Sequence, residues 1–560
     1  MKKSLLRVGM GMLLVAAFAS CQKLGPMKAE YFTVNPNPLE VKAGKVEGTV
    51  TANFPEKYFA EKAVVEVTPV LKYNGGEALG TPVSYQGTKV KGNDETIQYK
   101  AGGTVTQGFS FVYIPEMAES VLSLRFKATL NGKEVQVPEV DIAIGCIATS
   151  TLADASSVSP AFAKDKFVRD TKEVTEASIM FAIQKSDVKC NDDVKALNKV
   201  AADAQNDAKR TVEGLTLVSA ASPDGGYELN EKLAASREKN TQAFLKKQKN
   251  QAAIDAKYIA QDWDGFQKLV QESSVKDKDL ILRVLGAYQD AEQREKEIKN
   301  LSAAYTELAS DILPKLRRSH LALTINVAGK TDAELLEIAK SNSDSLTVEE
   351  LLYAAKLACT SGNKEDAAKF TAANAAQNPS DWRTQNNQGA VNFAKGDLSA
   401  TKSALNNSVN NGGANEPETN FNLGLVALEE NQPNQAQQYF GKAAGVEQLG
   451  EGQGLMYIQQ GEYAKAVSAF GNASTNNAAL AQMLVNNNDK AISILNNVSE
   501  KDATTYYLLA VCSARTANDA QVYSNLSQAI SLDANYSARA KSDLEFGKYW
   551  TLDSFKNVVK

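Results

Sequence analysis

Three polar side chains, Asp224, Asn230 and Arg237, stand at spacings that could hold a charged ligand. The sequence from Leu215 to Leu245 reads as a buried strand, a Ser-Pro-Asp-Gly-Gly turn and a helix, so the strand delivers Asp224 to its C-terminal end. Asn230 and Arg237 are seven residues apart, which is about two helical turns, and therefore share one helix face. A guanidinium binds a carboxylate through two parallel hydrogen bonds and an aspartate binds an ammonium, so the set suits a zwitterionic ligand. The alternative is a solvated arginine and a turn aspartate selected for local hydrogen bonding.

This stretch resembles the peptidoglycan-binding motif of OmpA-like domains. In that family the ligand is the diaminopimelate of the peptidoglycan stem peptide. The resemblance implies that Asp224, Asn230 and Arg237 are the peptidoglycan-binding residues of this chain. It implies neither a catalytic residue nor a cofactor.

The sequence on the N-terminal side of the motif follows the order of the same family. Residues 176–188 look like the first strand of an OmpA-like domain, and residues 191–206 look like its first helix. The pattern departs from the family at three positions, Ser219, Ala234 and Glu238, where Gly, Ser and Ala are usual. These departures bear on ligand affinity more than on the fold.

The predicted α/β domain, residues 165–328, contains an insertion. Charged helical sequence with apolar residues at three-to-four spacing separates its third strand from a last, alternating strand at residues 319–327. The arrangement resembles a long-insert variant of the OmpA-like family. Arg317 and Arg318 precede the last strand; they either line the ligand groove or form a solvated edge that discourages sheet pairing.

The N-terminus predicts where the protein acts. Three basic residues precede an apolar run that stops at Cys21 and is too short to span a bilayer. Residues 1–20 resemble a bacterial lipoprotein signal peptide, which makes Cys21 the acylated first residue of the mature chain and residues 21–30 a linker. Several acyl chains suffice for stable anchoring, and Gln22 after the cysteine favours the outer membrane. No acidic cluster follows, which favours a periplasm-facing orientation; the alternative is an ordinary secretory signal.

Composition narrows the functional classes. At 560 residues, with 23% charged and 43% hydrophobic residues, the chain is typical of a soluble protein of about three or four domains. A net charge of −5 argues against a nucleic-acid partner, because phosphate binding needs a basic surface. His320 is the only histidine, so a Ser/His/Asp or Cys/His catalytic set cannot be assembled. We predict a protein that is not an enzyme; a wall hydrolase that uses carboxylates alone is a distant alternative.

The cysteines show no CxxC spacing, so neither a metal nor a cofactor is predicted. In an oxidising periplasm Cys146 and Cys190 are candidates for a disulfide. Cys359 and Cys512 lie in apolar helical sequence and are predicted to be small buried hydrophobic residues.

Residues 31–147 are predicted to form β structure. Residues 122–130 alternate apolar with polar side chains, and residues 109–113 repeat the pattern, which is the period of half-buried strands. Asn-Gly and similar turn signals separate such runs at intervals typical of a sandwich. We predict an all-β, immunoglobulin-like sandwich that serves as a spacer or a protein-docking module.

Residues 331–550 are predicted to be an all-α repeat array. The turn glycines Gly362 and Gly396 are 34 residues apart, and two successive segments carry small and aromatic residues at matched offsets. These matched residues are Gly424, Ala436, Phe440 and Ala443 in one segment and Gly454, Ala466, Phe470 and Ala473 in the next. The segments resemble tetratricopeptide repeats, of which we count five or six. The alternative is an unrelated helical bundle.

The parts together predict an outer-membrane-anchored periplasmic lipoprotein. Its OmpA-like domain would bind peptidoglycan without a covalent bond, and its repeats would scaffold envelope proteins, because a repeat array holds extended segments or helices on its inner surface. The neutral polar lining of this array favours a protein partner. The alternative is a docking factor of an outer-membrane or secretion complex, whose OmpA-like domain does not bind the cell wall.

Overall fold

The computed structural model describes residues 24–248 and 252–560, so the predicted signal peptide and Cys21 lie outside the described residues. The chain divides into two compact units, the first formed by Met1–Lys164 with Thr371–Lys560 and the second by Asp165–Phe370. Within the described ranges, no helix has both the length and the apolar character needed to cross a bilayer.

The N-terminal part of the first unit is built from strands. They are β1 Phe32–Asn35, β2 Leu39–Lys42, β3 Lys45–Phe54, β4 Ala63–Tyr73, β5 Gly76–Leu79, β6 Val83–Gly87, β7 Glu95–Ile97, β8 Gly103–Val112, β9 Ser120–Leu130, β10 Lys133–Val135, β11 Val140–Ile144 and β12 Cys146–Ile147. In one sheet, of five strands, β3 pairs with β1, β2 and β8, and β2 also pairs with β12. The other sheet has seven strands around the antiparallel pair β4 and β9. Apolar residues of both sheets form one core, so the predicted sheet-rich N-terminal region is confirmed.

The alternation predicted for β9 explains how this core forms. Leu122, Leu124 and Phe126 are buried, whereas Lys127 points to solvent. A strand with this period buries one face and leaves the other wet. On the buried face, Phe126 packs against Phe32 of the other sheet, with 6.2 Å between the ring centroids.

The second unit contains a four-stranded sheet and ten helices. The strands are β13 Thr171–Met180, β14 Arg210–Ala220, β15 Ile254–Ile259 and β16 Arg318–Val327. The helices are α1 Asp192–Gln205, α2 Tyr227–Lys247, α3 Trp263–Glu272, α4 Lys278–Ala287, α5 Ala291–Asn300, α6 Ser302–Glu307, α7 Leu313–Leu316, α8 Asp332–Ser341, α9 Val348–Thr360 and α10 Lys364–Gln377, of which α10 contains the boundary between the units.

The sheet order in the second unit is β13-β16-β14-β15. β16 runs antiparallel to both of its neighbours, whereas β14 and β15 are parallel. The C-terminal ends of β13, β14 and β15 and the start of β16 therefore meet at one edge of the sheet. Helices α3 to α7 stand between β15 and β16 and bury a small apolar core of their own, and α8 to α10 form another with Phe167.

The rest of the first unit is helical. Its helices are α11 Trp382–Ala394, α12 Leu398–Asn410, α13 Pro417–Glu429, α14 Pro433–Phe440, α15 Leu449–Gln459, α16 Tyr463–Phe470, α17 Asn476–Leu484, α18 Asn488–Asn496, α19 Ala503–Arg515, α20 Asp519–Leu532, α21 Asn535–Ser542 and α22 Asp553–Val558. From α11 to α20 each helix packs against the next as a pair, and the first helices of successive pairs also contact one another in a row. The predicted tetratricopeptide-like repeats are confirmed as a series of helix pairs.

The cysteines correct two predictions. Cys146, Cys190, Cys359 and Cys512 are all free thiols, so the candidate Cys146–Cys190 disulfide is not formed. Burial raises the pKa of Cys146 to about 11 and that of Cys512 to about 12. The predicted burial of Cys359 is wrong, because the neighbouring Ala358 takes the inner face of α9 and the thiol lies on the outside.

The matched glycines of the repeats can be tested by adding one methyl group. A Cβ on Gly424 would lie 2.3 Å from the Phe440 ring, which is buried and packed 5.6 Å from the Phe421 ring. We expect Gly424→Ala to lower the free energy of unfolding by about 1–2 kcal/mol, since the overpacking cost exceeds the gain in helix propensity. The control is Gly441→Ala, because Gly441 has φ −60° and its added Cβ would meet nothing nearer than 3.4 Å. Calorimetric unfolding that is unchanged in both variants would contradict the packing argument.

Candidate functional site

The predicted binding residues lie at one edge of the second unit's sheet. Asp224 stands in the turn after β14, and α2, which carries Asn230 and Arg237, begins just beyond it. The segment after β13 and Arg317, the residue before β16, reach the same edge. Ligands of open α/β sheets bind beyond the carboxyl ends of strands, where loops from several strands converge.

Arg237 joins the loop after β13 to the end of β14 through their main-chain carbonyls. Its Nε donates to the carbonyl oxygen of Lys185 at 3.0 Å, and its two terminal nitrogens donate to the carbonyls of Ala220 and Ala182 at 2.8 and 3.4 Å. The guanidinium also lies 4.9 Å from the centre of the Phe181 ring, a favourable cation–π geometry. With 1% of its surface exposed, Arg237 is the largest fully buried side chain among the described residues.

The charge of Arg237 is retained despite this burial. Burial, together with the positive charge of Arg317, lowers the pKa of Arg237 to about 10, while Asp224 opposes that shift. The guanidinium is therefore protonated at neutral pH. Because its donors are directed to carbonyl oxygens of its own chain, its first role is to fix the loops that shape the site.

Asn230 holds the turn that carries Asp224. Its side-chain amide donates to the carbonyls of Ser222 and Gly225 at 2.9 and 2.8 Å, and the residue is buried. The Gly225 carbonyl also accepts a hydrogen bond from Gln261, 2.8 Å away. Asn230 is thus the residue that positions the turn.

Asp224 and Arg317 form the charged pair of the site. Nη2 of Arg317 lies 3.2 Å from Oδ2 of Asp224, and Nε donates to Ser222 Oγ at 3.1 Å. Ser222 in turn donates to Asp224 Oδ1. The side chains of Arg317 and Asp224 are 12% and 17% exposed, so both reach the surface. Within the described residues, Nη1 of Arg317 has no hydrogen-bond partner.

A cavity of about 70 Å³ opens beside this pair. Asp224, Asn230, Arg237 and Arg317 line it together with apolar side chains, of which Ile183 and Leu229 are largely exposed, at 61% and 54%. The structure thus brings the three predicted residues together and adds Arg317 to them. From the sequence, Arg317 could either line the groove or lie at a solvated strand edge. Its companion Arg318 instead faces Asp262, with 3.5 Å between Nη2 and Oδ2.

The site therefore offers one carboxylate and one guanidinium at the mouth of a small, partly apolar cavity. Such a surface can take an ammonium on Asp224 and a carboxylate on Arg317. In the described part of the chain no group of His, Cys, Asp and Glu side chains is arranged to hold a metal ion.

Two of the three positions that depart from the OmpA-like pattern, Ser219 and Ala234, are buried. Ser219 is fully buried, and its hydroxyl lies 2.6 Å from that of Ser319, which accepts a hydrogen bond from Thr241 at 3.0 Å. Ala234 is also fully buried. Both positions lie beneath the cavity rather than on its wall.

The solved structures to which this chain is similar include repeat proteins. No protein-family model and no curated protein matches the chain. A tetratricopeptide repeat protein from Parabacteroides merdae is 13% identical, with 45% of this chain and 97% of that chain covered and a TM-score of 0.29. PilW, a type IV pilus biogenesis factor, is 13% identical over 38% of this chain and 98% of its own, with a TM-score of 0.28. Pseudomonas aeruginosa PilF is 12% identical, with 38% and 98% covered and a TM-score of 0.27. TM-scores this low do not establish a shared fold, so the repeat architecture rests on the helix pairs themselves.

The two arginines of the cavity should differ in their effect on stability. Arg237→Ala leaves three main-chain carbonyls without their donors, and we expect it to lower the free energy of unfolding by about 2–4 kcal/mol. Arg317→Ala leaves Asp224 bonded to Ser222, and we expect a loss of about 1 kcal/mol. Chemical denaturation of the full chain checks both values; an equal loss in the two variants would refute the division of roles.

Proposed function

We propose that this chain is an envelope lipoprotein that binds peptidoglycan non-covalently through an OmpA-like domain and scaffolds envelope proteins through its repeats. Acyl chains on Cys21 would anchor it in the outer membrane with its domains in the periplasm. The observation that carries the wall-binding part is the paired carboxylate and guanidinium of Asp224 and Arg317 at the mouth of the cavity.

The ligand chemistry follows from this pair. Diaminopimelate presents an ammonium and a carboxylate on one carbon, and Asp224 and Arg317 carry the complementary charges. Nη1 of Arg317, which has no partner among the described residues, supplies a donor without breaking an existing bond. Exposed Ile183 and Leu229 would pack against the aliphatic part of the stem peptide.

The fold of the second unit supports an OmpA-like assignment. The support is a β13-β16-β14-β15 sheet with helices after the first, second and third strands, and motif residues that lie beyond the carboxyl end of β14. The first unit's two-sheet core supports an immunoglobulin-like sandwich that acts as a spacer or docking module. We also propose that the protein is not an enzyme: His320 lies on β16, beside Ser178 and Glu176, rather than in the cavity lining.

A docking factor that does not bind the wall is the second candidate, and one observation favours it. Asp224 is already paired within its own chain, and Arg237 donates to three carbonyls of its own chain. A ligand must then compete with the Arg317–Asp224 pair, which lowers its net gain. In this case the cavity would be a structural element of a docking surface.

Pull-down of the purified protein by insoluble peptidoglycan distinguishes these functions. We expect Asp224→Ala and Arg317→Ala each to weaken retention at least about tenfold, because each removes a charged partner of the ligand. Soluble stem peptide should release the wild type. The matched control is Arg318→Ala, which removes an adjacent arginine that pairs with Asp262 and should leave retention unchanged. If the wild-type protein stays in the supernatant, wall binding is refuted and the docking function remains as the candidate.

The lipid anchor has its own test. We expect the chain expressed in a Gram-negative host to incorporate labelled palmitate and to fractionate with the outer membrane. Cys21→Ser should abolish both, because it removes the acylated sulfur. Cys190→Ser is the control, since Cys190 is an exposed free thiol; label that persists in Cys21→Ser and disappears in Cys190→Ser would refute the anchor.

A further inference from the structure

A segment of irregular backbone in the first unit lies against the row of first helices of the repeats. Residues 153–163, the bound segment, follow the sandwich and contain no helix or strand. The side chains of Ala155, Val158 and Ala161 belong to the same apolar core as the repeat helices. Ser156 and Ser159, which lie between them, are exposed, so the segment presents one face to the array.

Asn477 of α17 holds the N-terminal end of the bound segment. Its side-chain oxygen accepts from the backbone N–H of Asp154 at 3.0 Å, and its amide nitrogen donates to the carbonyl of the same residue at 2.8 Å. The nitrogen also lies 3.0 Å from Ser157 Oγ. A primary amide that pairs with both main-chain groups of one residue reproduces the pattern of a β ladder.

Asn422 of α13 repeats the arrangement at the other end. It accepts from the N–H of Ala161 and donates to the carbonyl of Ala161, both at 2.8 Å. Asn386 of α11 donates to the same carbonyl at 3.1 Å, and Asn387 accepts from the N–H of Ala163 at 2.7 Å. Asn386 also links the two helices, since its side-chain oxygen accepts from Asn422 at 3.0 Å.

These four residues, Asn386, Asn387, Asn422 and Asn477, are the asparagine row. All are at least 95% buried, and burial of an amide without a partner is costly. Asn387 and Asn422 each stand two residues before a matched glycine, Gly389 and Gly424, so the row follows the repeat. Together with the apolar core that receives Ala155, Val158 and Ala161, these main-chain bonds select an extended segment that carries small apolar side chains at those positions.

We propose that the asparagine row is a recognition site for extended polypeptide, and that its occupant is the chain's own bound segment. The face formed by the first helices is therefore closed to peptides in trans. A tethered segment has an effective concentration of order millimolar, so an external peptide at micromolar concentration is excluded. Scaffolded proteins would then dock on other surfaces of the repeats. This inference is independent of wall binding, and its failure would leave that function untouched.

The test uses a fluorescent peptide with the sequence of residues 152–165 and the full chain. In one variant, residues 153–163 are replaced by a Gly-Ser stretch of equal length, which keeps the tether and removes the anchoring side chains. By anisotropy, we expect this variant to bind the peptide at least about tenfold more tightly than the wild type does. N-methylation of the peptide at Ala161, which removes the donor to Asn422, should weaken that binding at least about tenfold.

Two outcomes of this titration would overturn the proposal. Equal binding by the wild type and the Gly-Ser variant would show that the face is open. Failure of the folded Gly-Ser variant to bind at millimolar peptide would show that the row is no peptide site.

Hydrogen exchange provides a measurement that does not require the replacement to fold. In the wild type we expect the amides of residues 153–163 to exchange much more slowly than in the free peptide. Asn422→Ala should speed their exchange at least about tenfold. The control is Asn420→Ala on the same helix, because Asn420 is also buried but bonds to the carbonyls of Ala414 and Glu416. Wild-type exchange at the rate of the free peptide, or equal acceleration in both variants, would refute the assignment.

Discussion

The structure depends on one constraint: irregular backbone inside a protein must have its N–H and C=O groups paired. Regular helices and strands meet it by themselves, but the loops at the sheet edge and the bound segment do not. In both units buried side chains supply the missing partners. Arg237 donates to the carbonyls of Ala182 and Lys185 in the loop after β13 and to that of Ala220 at the end of β14. Asn422 and Asn477 each pair with both main-chain groups of a segment residue.

The same constraint separates positioning residues from ligand-facing ones. Arg237 and Asn230 are buried donors that fix the shape of the cavity, whereas Asp224 and Arg317 keep part of their surface exposed. A guanidinium directed at carbonyl oxygens cannot also make a two-bond contact with a ligand carboxylate without leaving those oxygens unpaired. In the proposed wall-binding function, Arg317, the residue before β16, is therefore the arginine that would contact the ligand.

The sequence could predict whatever is periodic or local. The alternation of apolar and polar residues predicted β9, and the matched small residues predicted the helix pairs. The spacing of Asn230 and Arg237 correctly predicted that both lie on the helix that follows the Asp224 turn. It could not predict the carbonyls of Ala182 and Lys185 as partners of Arg237, because non-repeating loops carry no such signal. The predicted burial of Cys359 was wrong for a related reason, because apolar neighbours in the sequence do not show which residue of a helical turn faces inward. The asparagines of the repeats were visible in the sequence as a polar lining. Residues 153–163, however, carry no periodic pattern that could identify them as the segment bound to that lining.

The occupied row also accounts for the discontinuous first unit. The bound segment adds Ala155, Val158 and Ala161 to the apolar core of the repeats and pairs with the buried asparagine row, so the segment and the repeats stabilise one another. Contacts at the sandwich end reinforce this: Thr149 donates to Glu545, and Arg539 donates to Thr151 Oγ1 at 3.1 Å. Residues 24–164 and 371–560 consequently form one compact unit, although about two hundred residues separate them in the chain. In such a unit the repeats act first on their own chain, and their inner face is part of the protein's core rather than a free docking surface.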